Sequence, residues 1–229
     1  MTRDYEIVDV CHTIHDGMIT YKGLPPPVIS DHLTRERSRE FYAPGTEFHI
    51  GRIEMVANTG TYLDSPFHRY PEGTDLAGLS LDSLANLEGV VIRRDAAAPR
   101  AIDATSFSDL ELESKAVLFH TGWDMRWRTD AYSDGTHPFL TAAAAELLVA
   151  KGAALVGIDS FNIDDTATGE RPAHSILLAN NIPIVEHLCG LGDLPDRGFR
   201  FFAVPVKVKN FGTFPVRAFG IVSKSATAL

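Results

Sequence analysis

Residues 141–159 read TAAAAELLVAKGAALVGID, and the class of fold turns on them. Thr141 is a helix N-cap residue type, because its hydroxyl can accept a backbone N–H left unpaired in the first turn. Alanine and leucine, both strong helix formers, dominate the positions after it. Gly152 supplies the stop, since glycine tolerates the left-handed backbone that ends a helix. Residues 153–158 (AALVGI) are a short apolar run closed by Asp159, the pattern of a strand covered on both faces. A helix that feeds directly into such a strand is half of a β-α-β unit, so part of the sheet is expected to be parallel.

Working outward, residues 115–120 (KAVLFH) and 182–186 (IPIVE) repeat the buried-strand pattern, and 89–95 (GVVIRRD) reads as a third strand. Residues 172–180 (PAHSILLAN) predict a short helix with Pro172 in its first turn. Residues 79–89 (LSLDSLANLEG) predict another, and 106–112 one more helical turn. At the two ends, residues 5–10, 47–58 (EFHIGRIEMVAN), 200–208 (RFFAVPVKV) and 216–223 read as strands, which implies mixed or antiparallel partners. Residues 59–73 (TGTYLDSPFHRYPEG), with two glycines and two prolines, are expected to be a loop on a rigid base. Residues 15–28 are rich in Gly and Pro, and residues 31–40 (DHLTRERSRE) are polar all round. An extended arm over 11–45 follows, exposed or meeting a partner. With no repeat, low-complexity tract or linker, residues 1–229 are expected to be one β-rich α/β domain with a mixed sheet.

The 229 residues are 45% hydrophobic and 22% charged, enough apolar material for a sizeable core. A net charge of −9 argues against nucleic acid and against an anionic membrane surface, both of which need a basic face. Cys11 and Cys189 form no metal-type or redox spacing and are expected to be reduced thiols. The N-terminal residues lack the apolar core of a signal peptide, and no run approaches 18 apolar residues, so a cytoplasmic location is expected.

Three places put a carboxylate or an imidazole at a strand end or in a Gly/Pro-bound loop, where sites of α/β sheets gather. They are Asp64-Ser65-Pro66-Phe67-His68, Gly157-Ile158-Asp159, and His174 followed twelve residues on by Glu186. Each has a plainer reading. Asp64 is a residue type that caps a turn before Pro66, His68 is a loop histidine, His174 a first-turn helix residue, and Glu186 a solvated strand end. Asp159 is read as a cap of the loop after its strand. No G-x-S-x-G elbow, glycine-rich dinucleotide loop or P-loop occurs.

Residues 58–68 (NTGTYLDSPFH) resemble the signature His-x-Gly-Thr-His-x-Asp-x-Pro-x-His of the Putative cyclase family, which includes bacterial kynurenine formamidase and isatin hydrolase. The segments LFHTGWD, HPFLTAAAAELLVAKGAALVGIDS, HSILLANNIPIVEHL and FPVRAFGI follow in that family's order. The resemblance implies a swivelling β/β/α domain that assembles as a homodimer or homotetramer and hydrolyses a small amide or formamide, as in tryptophan catabolism. It implies a divalent metal, zinc or manganese, held by Asp64, His174 and Glu186. It implies acid/base roles for His68, joined by Glu186 where no metal holds it. Asn58 and Tyr62 depart from the signature's two leading histidines. They are expected, with Phe67, to contact substrate; Asn58 is also a candidate carbonyl ligand. Two further readings stand beside the hydrolase: a small-molecule binder that has lost metal and hydrolysis, and a lactone hydrolase or lyase on the same scaffold.

Overall fold

The computed structural model describes residues 4–95 and 97–224. In chain order the elements are β1 (Tyr5–Asp9), β2 (Val28–Leu33), α1 (Arg35–Ser38), β3 (Ile50–Glu54), β4 (Tyr62–Asp64), β5 (Leu87–Arg93), β6 (Ala101–Ile102), β7 (Lys115–His120), β8 (Phe139–Leu140), α2 (Ala142–Ala150), β9 (Leu155–Ile158), α3 (Pro172–Ala179), β10 (Ile184–Glu186), β11 (Phe199–Phe202), β12 (Thr213–Pro215) and β13 (Phe219–Ser223). Nine strands form one sheet in the order β1-β13-β11-β5-β7-β9-β10-β4-β12.

The stretch at 141–159 folds as its residues dictate. Thr141 Oγ1 accepts the Ala144 N–H at 3.1 Å, and Gly152 follows α2 with φ +69°. Strand β9 then runs parallel to β7 and β10, with Val156 opposite Val117 and Ile184. The centre of the sheet, β5-β7-β9-β10, is parallel and its flanks are antiparallel, so the mixed, β-rich α/β fold expected from the sequence is the one observed. Because side chains alternate across a pleat, Val90, Ile92, Val117, Phe119, Val156, Ile158 and Ile184 pack under Leu148, Leu177 and Leu178 of the helices. Val91, Leu118, Leu155 and Val185 face the other side, against Leu188, Leu191, Leu194 and Phe201.

Several elements differ from the sequence reading. Tyr62–Asp64, expected to be loop, is a fully buried strand inside the sheet. Only three residues between Gly60 and Pro66 are needed, because β10 and β12 supply ladder partners on both sides. Strand β11 stops at Phe202 instead of reaching residue 208; Pro205 has no N–H to give a ladder. Residues 79–89 hold a single 3₁₀ turn, Leu81–Ser83, capped by Ser80, before β5 begins. The arm over 11–45 carries β2 and α1, and β2 pairs antiparallel with β3, which falls within the strand expected at 47–58; this hairpin stands apart from the main sheet and is exposed along nearly all its length. Asp159 accepts N–H groups of Thr121 and Gly122, so it holds the turn after β7, not the one after its own strand. Cys11 and Cys189 are free thiols. Among the described residues, no helix is long and apolar enough to cross a membrane.

Candidate active site

Sheet register assembles the site. On β4, Tyr62 and Asp64 are two residues apart and therefore share a face. Tyr62 stands opposite Glu186 of β10, and Asp64 opposite Thr213 of β12. Helix α3 covers this face and presents His174 to it. Past Asp64 the chain turns through the 3₁₀ segment Pro66–His68, with Pro66 at its first position and His68 N–H bonded to Ser65 O at 2.9 Å. That turn brings His68 Nδ1 to 3.6 Å from Asp64 Oδ1. Gly212 allows β12 to lie against the turn: a Cβ there would stand 2.6 Å from the His68 backbone.

Thr213 joins the two residues. Its hydroxyl donates to Asp64 Oδ1, and its oxygen lies 2.8 Å from His68 Nδ1. With the hydroxyl proton committed to the carboxylate, Thr213 Oγ1 accepts from His68 Nδ1–H. This leaves the lone pair on Nε2.

Glu186, 1% exposed, sits in a cage of donors. Tyr62 Oη donates to Oε2 at 2.6 Å and the Ile163 N–H to Oε1 at 2.7 Å. Tyr21 Oη and Asn162 Nδ2 are farther, at 3.4 and 3.5 Å. Burial pushes Glu186 up from the usual carboxylate range, against the pull of His174. Burial, then the Glu186 charge, holds the Tyr62 phenol well above its ordinary value, so Tyr62 is a donor here.

His174 is held by Asp164, whose Oδ2 lies 2.6 Å from Nδ1. The same carboxylate accepts the Ala173 and His174 N–H groups and caps α3, whose own N-cap residue, Arg171, makes no side-chain cap bond. With Nδ1–H spent on Asp164, Nε2 points to Glu186 Oε1 at 3.6 Å and Asp64 Oδ2 at 3.7 Å. Asp64 Oδ2 is buried with no hydrogen-bond partner among the described residues. Burial alone lowers the His174 imidazolium, but Glu186, Asp164 and Asp64 outweigh it and lift it to about 10. The gap among these three atoms thus attracts a positive charge, a proton on Nε2 or a cation. Separations of 3.6 and 3.7 Å are too long for hydrogen bonds. They are close to the roughly 3.4 Å between neighbouring donors around a tetrahedral ion with bonds of about 2.1 Å. By mutual distance the set that fits a divalent metal is Asp64, His68 and His174, with one ligand atom from each all within 4.8 Å of one another, and Glu186 Oε1 adjoins it at 3.6 Å from His174 Nε2.

The structure therefore brings Asp64, His68, His174 and Glu186 to one place. A cavity of about 320 Å³ opens onto it, lined by Tyr21, Asn58, Tyr62, His68, His174 and Glu186 among others. Tyr62 reaches the cavity wall with its proton engaged by Glu186, and the Asn58 amide makes no hydrogen bond among the described residues. Phe67, expected to touch substrate, is half-buried and not part of the lining. Sequence reasoning missed Tyr21, Asn162, Asp164 and Thr213. The first lies in a Gly/Pro-rich arm and the others in segments without pattern, so no local signal marks them.

Residues 8–165 match the family described as Putative cyclase. A kynurenine formamidase of Erythrobacter litoralis is 29% identical over 168 residues, 72% of this chain and 73% of that one. The fold is shared with isatin hydrolase A of Labrenzia aggregata, solved with benzyl benzoate, at a TM-score of 0.81 and 22% identity over 96% of this chain and 94% of that one. It is shared too with a protein described as a potential metal-dependent hydrolase with cyclase activity, at a TM-score of 0.77 and 24% identity over 95% of this chain and 98% of that one. The strand-by-strand order of the site and a match over most of the chain agree: this chain belongs to the Putative cyclase family.

Proposed function

We propose that the protein is a hydrolase that opens a C–N bond of a small amide or formamide, in the manner of the kynurenine formamidases it resembles. One observation carries the reading: His174, Glu186 and a half-exposed His68 line a single cavity, with buried Asp64 behind them at 3.6 Å from His68 Nδ1 and 3.7 Å from His174 Nε2.

Asp64, His174 and Glu186 are the residues that would hold the metal, zinc or manganese. When bound, it polarises the substrate carbonyl and makes a water more acidic. Asp164 orients His174, and Tyr62 and the Ile163 N–H orient Glu186. His68 Nε2 takes a proton from the attacking water as its oxygen bonds to the carbonyl carbon. It then delivers that proton to the amine nitrogen as the C–N bond breaks, yielding a carboxylic acid and an amine. Asn58, with its amide unengaged, is placed to donate to the substrate carbonyl.

The test is turnover of N-formylkynurenine by purified protein of measured metal content. Formate release that falls about 10²–10⁴-fold in His68→Ala, with metal retained, supports the reading. A wild-type protein with full metal and no amide hydrolysis overturns it.

We also propose that the chain works as a homodimer or homotetramer through the β2–β3 hairpin. A two-stranded hairpin is marginal alone in water, and this one exposes Val28, Phe48, Ile50 and Ile53, each about half open. A monomeric mass by light scattering would remove that proposal. Free thiols suit a reducing compartment such as the cytoplasm, and degradation of formylated tryptophan products is a fitting setting.

A further inference from the structure

Two guanidinium groups line the same cavity, in a chain whose net charge is −9. Arg69 directly follows His68, and Arg171 opens α3 three residues before His174. Most cavity-distant arginines of this fold that bond a side chain meet a carboxylate, as Arg93 meets Asp196, Arg100 meets Asp165 and Arg217 meets Asp9. Among the described residues, Arg69 and Arg171 have no carboxylate within 4.0 Å. Arg171 is nonetheless fixed in place: its Nη1 donates to the carbonyls of Asp165, Thr168 and Glu170 at 3.3, 2.8 and 2.6 Å. Its Nε and Nη2 keep their donors without a protein acceptor among the described residues. Arg69 is steadied by Ser175 Oγ, 3.4 Å from Nε, and by the Tyr70 ring 5.5 Å from its Cζ, with both Nη groups unengaged among the described residues.

A guanidinium presents parallel donors that match the two oxygens of a carboxylate. We propose that Arg69 and Arg171 recognise a carboxylate on the substrate, so that the preferred substrate is a small amide or formamide bearing an acidic group near the scissile bond. The inference rests on the hydrolase reading for the word substrate and on the two arginines alone for the anion. They line the same cavity as His68 and His174, so an anion held there shares that cavity with the reacting carbonyl. They act as specificity residues, not as acid, base or metal ligand.

The experiment uses the metal-loaded protein. Anthranilate, followed by its fluorescence anisotropy, is titrated against wild type, Arg69→Ala, Arg171→Ala and Arg171→Lys, with neutral anthranilamide as the control. Anthranilate is expected to bind wild type and to lose about tenfold or more in affinity in each alanine variant. The lysine variant, which keeps the charge but not the fork, is expected to fall between. Anthranilamide binding is expected to stay unchanged. Equal binding of anthranilate and anthranilamide, or equal losses for both, overturns the proposal. Competition by phenyl phosphate at lower concentration than benzoate overturns the assignment to a carboxylate. In turnover, the alanine variants raise KM for N-formylanthranilate and leave kcat/KM for formanilide within about twofold. If neither formyl compound is hydrolysed while anthranilate still depends on both arginines, the hydrolase reading falls and the carboxylate site stands.

Discussion

Tyr62 of β4 lies directly opposite Glu186 of β10, and its hydroxyl donates to Glu186 Oε2 at 2.6 Å inside a buried sheet. The pair shares one ladder position, so the phenol cannot drift from the carboxylate without disturbing β4. Tyr62→Phe keeps the ring in place and removes the donor. Hydrogen bonds to charged groups contribute about 1.5–3 kcal/mol, which sets an expected fall in kcat/KM of about 10–150-fold. Steady-state kinetics on N-formylkynurenine measure it; a value within twofold of wild type would show that Tyr21 and Asn162 suffice to hold Glu186.

Asp64 Oδ2 has no hydrogen-bond partner among the described residues and stands 3.7 Å from His174 Nε2. Asp64→Asn is expected to lose the bound metal, read by plasma emission on the purified protein. Unchanged metal content would remove Asp64 from the ligand set. Asp164→Asn tests the support behind the ligand. It weakens the hold on His174 and is expected to lower metal affinity about 10–100-fold. Because the Ala173 and His174 N–H groups bond to different oxygens of Asp164, the amide also leaves one buried donor without its acceptor, at about 1–3 kcal/mol of folding stability.

Gly212 leaves no room for a side chain against the His68 backbone. Gly212→Ala forces the turn at 66–68 or β12 to move. A displacement of about 1 Å at a reacting group lowers the rate about 100-fold. The expected result is low kcat, with metal content falling as well if β12 is what moves, since Thr213 holds Asp64, and unchanged if the 66–68 turn is what moves.

His12 gives the fold an acid-sensitive element away from the metal ligands. Its ring stacks on Trp127 at 3.9 Å, and its Nε2 is buried without a hydrogen-bond partner among the described residues. Burial, opposed by Asp124, lowers it from its ordinary 6.5 to about 4. The unfolded chain therefore takes up a proton below 6.5 that the folded chain accepts only near 4. Stability from this group is complete above 6.5 and is lost as pH falls toward 4. His12→Phe keeps the stack, so denaturant midpoints measured between pH 6.5 and 4 should fall less steeply, by about one proton taken up on unfolding.

The stretch at 141–159 was readable because everything that shapes it is local: a cap, helix formers, a glycine, an apolar run. The turn from Asp64 to His68 was readable for the same reason, five residues with a proline between the two groups. His174 and Glu186 were placed through family order, not through spacing. What the sequence did not disclose is long-range. Thr213 meets Asp64 across 149 residues, and Tyr21 meets Glu186 across 165. No periodicity encodes such pairs, because they arise from which strands become neighbours. Strand β4 escaped notice on the same ground: its three residues are extended by their neighbours' hydrogen bonds, against the local pull of Gly60 and Pro66.

Strand β12 is three residues long and, with β1, one of the two edge strands of the nine-stranded sheet. Through Thr213 it is also the strut that aligns His68 with Asp64. A sheet border frays at far lower free energy than its centre melts. On warming, the enzyme should fall silent while its circular dichroism is still intact, and regain its full rate on cooling, because the first part to loosen is the last strand laid down beside the reaction.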